Sequence, residues 1–405
     1  MKRSSLILLL LLSAVACIAQ DLAIKGALVY TSPDAKAIPD ATVIIRDGKI
    51  IRVGRRGKVT IPGNIRVIDA KGMFLTAGFW NSHVHFIEPK WSGADTISAA
   101  RLTAQLNDMM NSKGFTNVFD LAELDFKNLN ALKARIDRGE VPGPSIRAVG
   151  VPLTPLNGSP FYIRPAKLPE VGDTATAVRD VEDQIRAGAQ GIKLFTGSPD
   201  GHGVVSMKVE VASAAVKAAH SHGVPVFAHP STDAGVDVAI AAGVDVLAHV
   251  APDAHRDWSP SAIELLLKKH IALIPTLRMF QWSLPKRSVD TINDPLIITA
   301  LKQLRSYAKN GGVVLFGTDV GYMTDYSTQG EFELMSRAGL DFHDILRSLT
   351  TAPAKKFGLG NICGAVAPGK EADIVLLSAD PAADSRNFSK VVYTIAKGRI
   401  IYGQP

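Results

Sequence analysis

Apolar and polar positions divide the chain into three stretches. From Ile24 to Val67, short runs rich in Val and Ile alternate with turns. Ala27–Tyr30, Ala41–Arg46, Lys49–Val53 and Ile65–Asp69 read as strands, and Arg46-Asp47-Gly48-Lys49 is a hairpin turn signal. The C-terminus has the same texture, with strands at Ala372–Leu377 and Val391–Ile395 and a turn at Lys397-Gly398-Arg399 leading into Ile400–Tyr402. Two β-rich ends around a different middle predict one small composite β-sandwich made from both termini.

The middle alternates strand and helix. Eight short apolar strands are expected at Phe79–His85, Thr116–Leu121, Ile146–Val151, Gly191–Thr196, Val224–His229, Val244–Val250, Ala272–Leu277 and Val313–Asp319. Helical patterns such as Leu102–Lys113, Val178–Ala187, Val209–His222 and Leu296–Asn310 lie between them. Gly114, Gly188, Gly223, Gly243 and Gly311 stand where a helix must end in a left-handed cap before the next strand. Eight such units in series predict an α/β fold, a closed (β/α)8 TIM barrel over residues 76–358. The sandwich halves fall at 20–75 and 359–405. An open doubly wound sheet would want a Gly-rich phosphate loop after its first strand, and none follows Phe79–His85.

Composition adds little to this picture. With 405 residues, 46% hydrophobic and 20% charged, the chain suits one large barrel with a small accessory domain. Of the formal charge of +7, Lys2 and Arg3 contribute two and precede the apolar run Leu6–Leu12 and the small residues Ala14, Ala16 and Ala19. Residues 1–19 therefore read as a cleaved signal peptide too short to span a bilayer, and export to a periplasmic or extracellular space is expected. Cleavage after Ala16 would instead leave Cys17 as the mature N-terminus, which resembles a lipoprotein site; only then is a membrane partner expected. Otherwise Cys363 alone remains, and no intramolecular disulfide can form. The other basic residues are scattered with no aromatic interleaving, so no nucleic-acid partner is expected.

Chemistry gathers where strands end, the catalytic face of such a barrel. Those ends carry His83, His85, Lys193, His229, His249 and Asp319. His83 and His85 are two apart, so on a strand both rings point to one side, here the barrel axis. A His-x-His alone could be two hydrogen-bonded histidines, and Asp319 alone a helix cap. Lys193, inside the apolar run Gly191–Phe195, resists a bland explanation: a buried ammonium is costly and its pKa should fall. A neutral lysine amine can take up carbon dioxide as a carbamate, an anionic ligand able to bridge two cations. The remaining histidines, apart from His202, lie on helices, helix ends or loops and do not read as ligands.

Ala77-Gly-Phe-Trp-Asn-Ser-His-Val-His85 is similar to the first-strand signature of the amidohydrolase superfamily. Phe316-Gly-Thr-Asp319 and Gly364-Ala-Val-Ala-Pro-Gly-Lys-Glu-Ala-Asp-Ile-Val375 resemble its last barrel strand and its return into the sandwich. The resemblance covers the mature chain and looks closest to the imidazolonepropionase-related and prolidase-like branch, with Asn81 where the family usually has Asp. It implies a metal held by His83, His85 and Asp319, and a second held by His229 and His249, with carboxylated Lys193 bridging. The ligand set suits zinc best, with manganese, cobalt or iron as alternatives.

The expected reaction is attack of a metal-bridging hydroxide on an amide carbonyl, with Asp319 accepting the proton and passing it to the leaving amine. Substrate contacts are expected from Tyr162, Arg164, His202, Arg278 and Tyr322. The two arginines could clamp a carboxylate, as in a dipeptide or N-acyl amino acid; a cyclic amide is a further candidate. The Pro230-Ser231-Thr232 run after His229 departs from the Tyr often found there in prolidase-like relatives, which weighs against a peptidase. Three rivals sit on the same fold: a mononuclear cyclic amidase or deaminase, which generally lacks the strand-four Lys so that Lys193 argues for two metals, a lactonase using the same cluster, and an exported binding protein that kept the fold. A homo-oligomer is compatible with all of them.

Overall fold

The computed structural model describes residues 21–284 and 291–403, so the leader expected at 1–19 lies outside the described residues. Strands from both ends of the chain form one eight-stranded mixed sheet. Its order is Arg399–Tyr402, Val391–Ala396, Ile374–Leu377, Phe74–Ala77, Leu22–Val29, Ile38–Arg46 and Lys49–Arg55, with Arg66–Asp69 paired in parallel to Leu22–Lys25. Phe74–Ala77, not among the strands expected from the sequence, is the seam. It pairs in parallel with Leu28 and Val29 and antiparallel with Ile374–Leu377, which joins the two ends. Leu22, Ile24, Val43, Ile45, Ile374 and Ile395 fill a core of this unit's own.

The barrel strands are Phe79–Val84, Phe115–Asp120, Ser145–Ala148, Ile192–Phe195, Val226–His229, Val246–Leu247 and Ala272–Leu273. Neighbours pair in parallel, and a Leu153–Leu194 bridge spans the third and fourth. The eighth segment, expected as a strand over Val313–Asp319, makes only isolated bridges, Leu273 to Val314 and Val84 to Val320. It still closes the ring, with Ser82 N–H donating to Phe316 O and Asp319 N–H to His83 O. Gly317 shows why pairing is irregular here. A Cβ at that position would come within 2.3 Å of the Ile274 side chain, and Asp319 itself turns left-handed at φ 64°.

Helices wrap the barrel, several begun by caps readable in the sequence: Asp125, Asp173 and Ser259 accept from the N–H three residues on. The five glycines expected to end helices all have positive φ. Inside the barrel, Phe119, Phe227, Val246, Ile274 and Leu315 form an apolar plug, so polar groups at the strand ends sit on a dry floor.

Candidate metal centre

The first barrel strand delivers His83 and His85, and the eighth segment delivers Asp319. His83 Nε2 lies 3.3 Å and His85 Nε2 2.8 Å from Asp319 Oδ1, while His249 Nε2 lies 3.9 Å from Oδ2. One donor atom each of His83, His249 and Asp319 falls within 4.8 Å of the others. The His229 ring stands 4.6 Å from that of His249 and stacks on Phe195 at 4.4 Å. Lys193, only 2% exposed, opens onto the same cavity as these five. All six residues expected at the strand ends are thus brought together.

Neighbouring groups settle which ring nitrogen is free. His83 Nδ1 lies 3.1 Å from Ala248 O, which can only accept, so Nδ1 carries the proton. Thr276 Oγ1 donates to Pro275 O at 2.9 Å and therefore accepts from His249 Nδ1 at 2.7 Å. Both Nε2 lone pairs are left facing Asp319. Thr276 is buried and left-handed, and the carboxylate of buried Glu331 holds the turn after it by accepting Leu277 N–H at 3.0 Å and Arg278 N–H at 2.6 Å. Asn81 fastens the first strand to the eighth segment: its amide donates to Thr318 Oγ1 at 2.7 Å while its oxygen accepts from Thr318 N–H. A carboxylate at that place could keep this tie only by accepting from the Thr318 hydroxyl, with the bond direction reversed.

Burial holds His83, His229 and His249 well below the ordinary histidine range, so all three are neutral donors. It also pushes Lys193 down to about 7. Burial penalises the His85 imidazolium too, but Asp120, 3.6 Å from Nδ1, and Asp319 outweigh it and raise the ring to about 9. Asp319 Oδ1 is fully buried and faces only the His83 and His85 rings, buried His85 Nδ1 has no hydrogen-bond partner, and the Lys193 side-chain amine has no hydrogen bond or ion pair among the described residues. Convergent neutral imidazoles, an unsatisfied carboxylate oxygen and a partnerless amine make a donor set that fits a divalent cation.

The cavity above the cluster has a volume of about 390 Å³. Tyr162 and Tyr322 line it, as expected, with ring centroids 5.5 Å apart. Arg164, His202 and Arg278 do not. Arg164 donates to Asp200 O at 2.7 Å, and His202 sits exposed in the hairpin beyond Pro199. Arg278 is paired with Asp325 at 2.9 Å, so the carboxylate clamp finds no place on the wall. Sequence reasoning missed Asp120, Thr276 and the apolar wall; only Asp120, at a strand end like the others, carried a readable signal.

A model of the amidohydrolase family matches residues 74–401. The chain belongs to that family. Solved amidohydrolase-fold structures agree in architecture. A candidate prolidase from Bifidobacterium longum aligns with a TM-score of 0.80 at 24% identity, over 96% of this chain and 96% of that one. A Xaa-Pro dipeptidase with bound methionine in its active site aligns with a TM-score of 0.80 at 21% identity, over 95% of this chain and all of that one. At these identities the likeness is one of fold. A dihydroorotase of Anaeromyxobacter dehalogenans (strain 2CP-C) is 40% identical over 63 residues, which is 16% of this chain and 14% of that protein's length.

Proposed function

We propose that this amidohydrolase-family chain hydrolyses a carbon–nitrogen bond, of amide type, in a small molecule, using two divalent cations, zinc being the best suited. Neutral, tautomer-fixed imidazoles converging with Asp319 and a partnerless Lys193 on one cavity floor carry this reading. His83, His85 and Asp319 would hold one ion, and His229 and His249 the other. Lys193 would bridge them as a carbamate, its neutral amine adding to the carbon of carbon dioxide with loss of one proton. Bound there, the cations would acidify a water and polarise the carbonyl under attack. Asp319 would accept the proton of the attacking water and return it to the departing nitrogen, a role suited to a buried carboxylate that the eighth segment aims at the cluster. The apolar plug beneath the floor closes the barrel interior under the strand ends.

A one-ion centre on His83, His249 and Asp319 is the second reading, favoured by their convergence within 4.8 Å. Metal analysis of active, reconstituted protein separates the two: a ratio near two per chain supports the first, and a ratio near one the second. The same protein is screened against N-acyl amino acids, dipeptides, cyclic imides and lactones. Absence of metal-dependent hydrolysis throughout would leave a binding protein on this fold. Export is part of the proposal, and the mass of the mature N-terminus tests cleavage after Ala19 against a lipidated Cys17.

A further inference from the structure

We infer that the substrate is a neutral amide bearing an aromatic or branched aliphatic arm, and that a free carboxylate on it is rejected; this rests on the hydrolase reading above. Large apolar side chains left exposed to water include Ile87, Leu124, Phe161, Tyr162 and Tyr322, and all five line the same cavity. They come from the loops after the first, second, third and eighth barrel strands, so four separate segments converge to build one collar. The aromatic side of the collar is continuous: the Phe161 and Tyr162 rings are 5.6 Å apart, Tyr162 and Tyr322 5.5 Å, and Tyr322 and exposed Trp282 6.0 Å. Scattered exposed apolar residues are ordinary, but a contiguous ring of them around a concave polar floor marks a surface that a ligand covers.

Charge points the same way. Outside the six cluster residues, the only charged side chain lining the cavity among the described residues is Asp253, itself an acid. Arg164 and Arg278 are turned to Asp200 O and Asp325. A carboxylate on an arm reaching into the collar would meet no cationic side chain beyond the cluster and would face Asp253, so losing its hydration there is uncompensated. An uncharged arm loses nothing there and covers the collar. The occupant is therefore the apolar part of the substrate, lying from the cluster outward between Leu124 and the Tyr162–Tyr322 pair.

The test uses N-benzoylphenethylamine and N-benzoylphenylalanine, which differ only by a carboxylate, and their ketone isosteres in which a methylene replaces the amide nitrogen. For the metal-replete protein we expect kcat/KM for the neutral amide to exceed that for the acid by about tenfold or more. Calorimetric binding of the unhydrolysable ketones should follow the same order. Leu124 is exposed, so its variants leave packing intact. Leu124→Asp should weaken the neutral ketone, and Leu124→Arg should raise affinity for the acidic one. Ketone preference without hydrolysis of either amide upholds the substrate class and overturns the hydrolase reading. Hydrolysis with the acid preferred does the reverse. Failure of both ketones to bind overturns the inference, as does a Leu124→Asp change in oligomeric state with no change in affinity, which would show the collar covered by a second copy of the chain.

Discussion

The two halves of the cluster are built differently. On the side of His83, His85, His249 and Asp319, each histidine faces a defined group beyond the cluster: Ala248 O, Asp120 and Thr276 Oγ1 respectively. On the other side, the His229 ring has only ring contacts, with Phe195 and His249, and the Lys193 side-chain amine has no hydrogen bond or ion pair among the described residues. One half has its donor directions fixed by the protein alone. The other has donor atoms in place that no protein partner orients. The first half should thus tolerate loss of a cation with little change of shape, whereas on the proposed two-metal reading the second would become a site only once Lys193 is carboxylated and metal binds.

The largest effect is expected at Asp319, the only carboxylate that all three imidazoles of the fixed half face. Asp319→Asn should lower kcat by roughly a hundred- to ten-thousand-fold, the range for a lost general base, while the circular dichroism of the fold stays unchanged. Substantial residual turnover in a metal-replete variant would remove Asp319 from the proton path. The next effect breaks the open half. Lys193→Ala should cost one metal per chain and lower activity at least about tenfold, the cost expected when a metal loses a supporting group. Acetate or propionate, supplying the missing carboxylate, should restore part of both. Retention of full metal content would show that Lys193 is a buried amine and no ligand.

The difference between the halves also marks what was legible in the sequence. Strand-end placement and burial of a lysine point to all six cluster residues, because those signals are local. His249 was found by position more than by period. Val246 and Ala248 pack in the barrel's interior plug, so strict alternation would turn His249 outward; it reaches the cluster because pairing stops at Leu247 and the backbone leaves the two-residue repeat. Thr276 was illegible, since its role is a hydrogen bond to a ring 27 residues earlier that exists only once the barrel closes. The Arg164 and Arg278 clamp failed for the same reason in reverse: Asp200 O and Asp325, distant in sequence, decide where those guanidiniums point. In the fold, Phe74–Ala77 was missed because a four-residue strand has too few positions to show alternation.

Thr276 gives a finer cut through the fixed half. Thr276→Val keeps the shape of the side chain but removes the acceptor of His249 Nδ1–H, freeing the imidazole to take the other tautomer. Metal affinity should fall about ten- to hundredfold, as for other supporting partners of metal-bound histidine, and Thr276→Ser should recover it. Competition with a chelating dye measures both. Equal affinity in all three proteins would mean that packing, and not the hydroxyl, orients His249.

The smallest effect sets the metal face against the barrel's opposite end, where another buried carboxylate serves a different purpose. Asp373 accepts Lys397 N–H at 2.8 Å and Asn117 Nδ2 at 2.9 Å, tying the composite sheet to the second barrel strand. Burial nevertheless raises it from 3.8 to about 6, because these bonds do not fully replace water. A carboxyl raised in the folded state binds more protons there than in the unfolded chain. Its contribution to stability is therefore complete below pH 3.8 and is lost as pH rises through about 6. Asp373→Asn removes that titration. The difference in unfolding free energy between variant and wild type, from urea titrations, should shift in the variant's favour by about 2 kcal/mol between pH 4 and pH 7. A difference that stays constant across this range would mean that Asp373 titrates alike in both states. The two bonds would then compensate its burial in full, as no pair of protein partners does for Asp319 Oδ1.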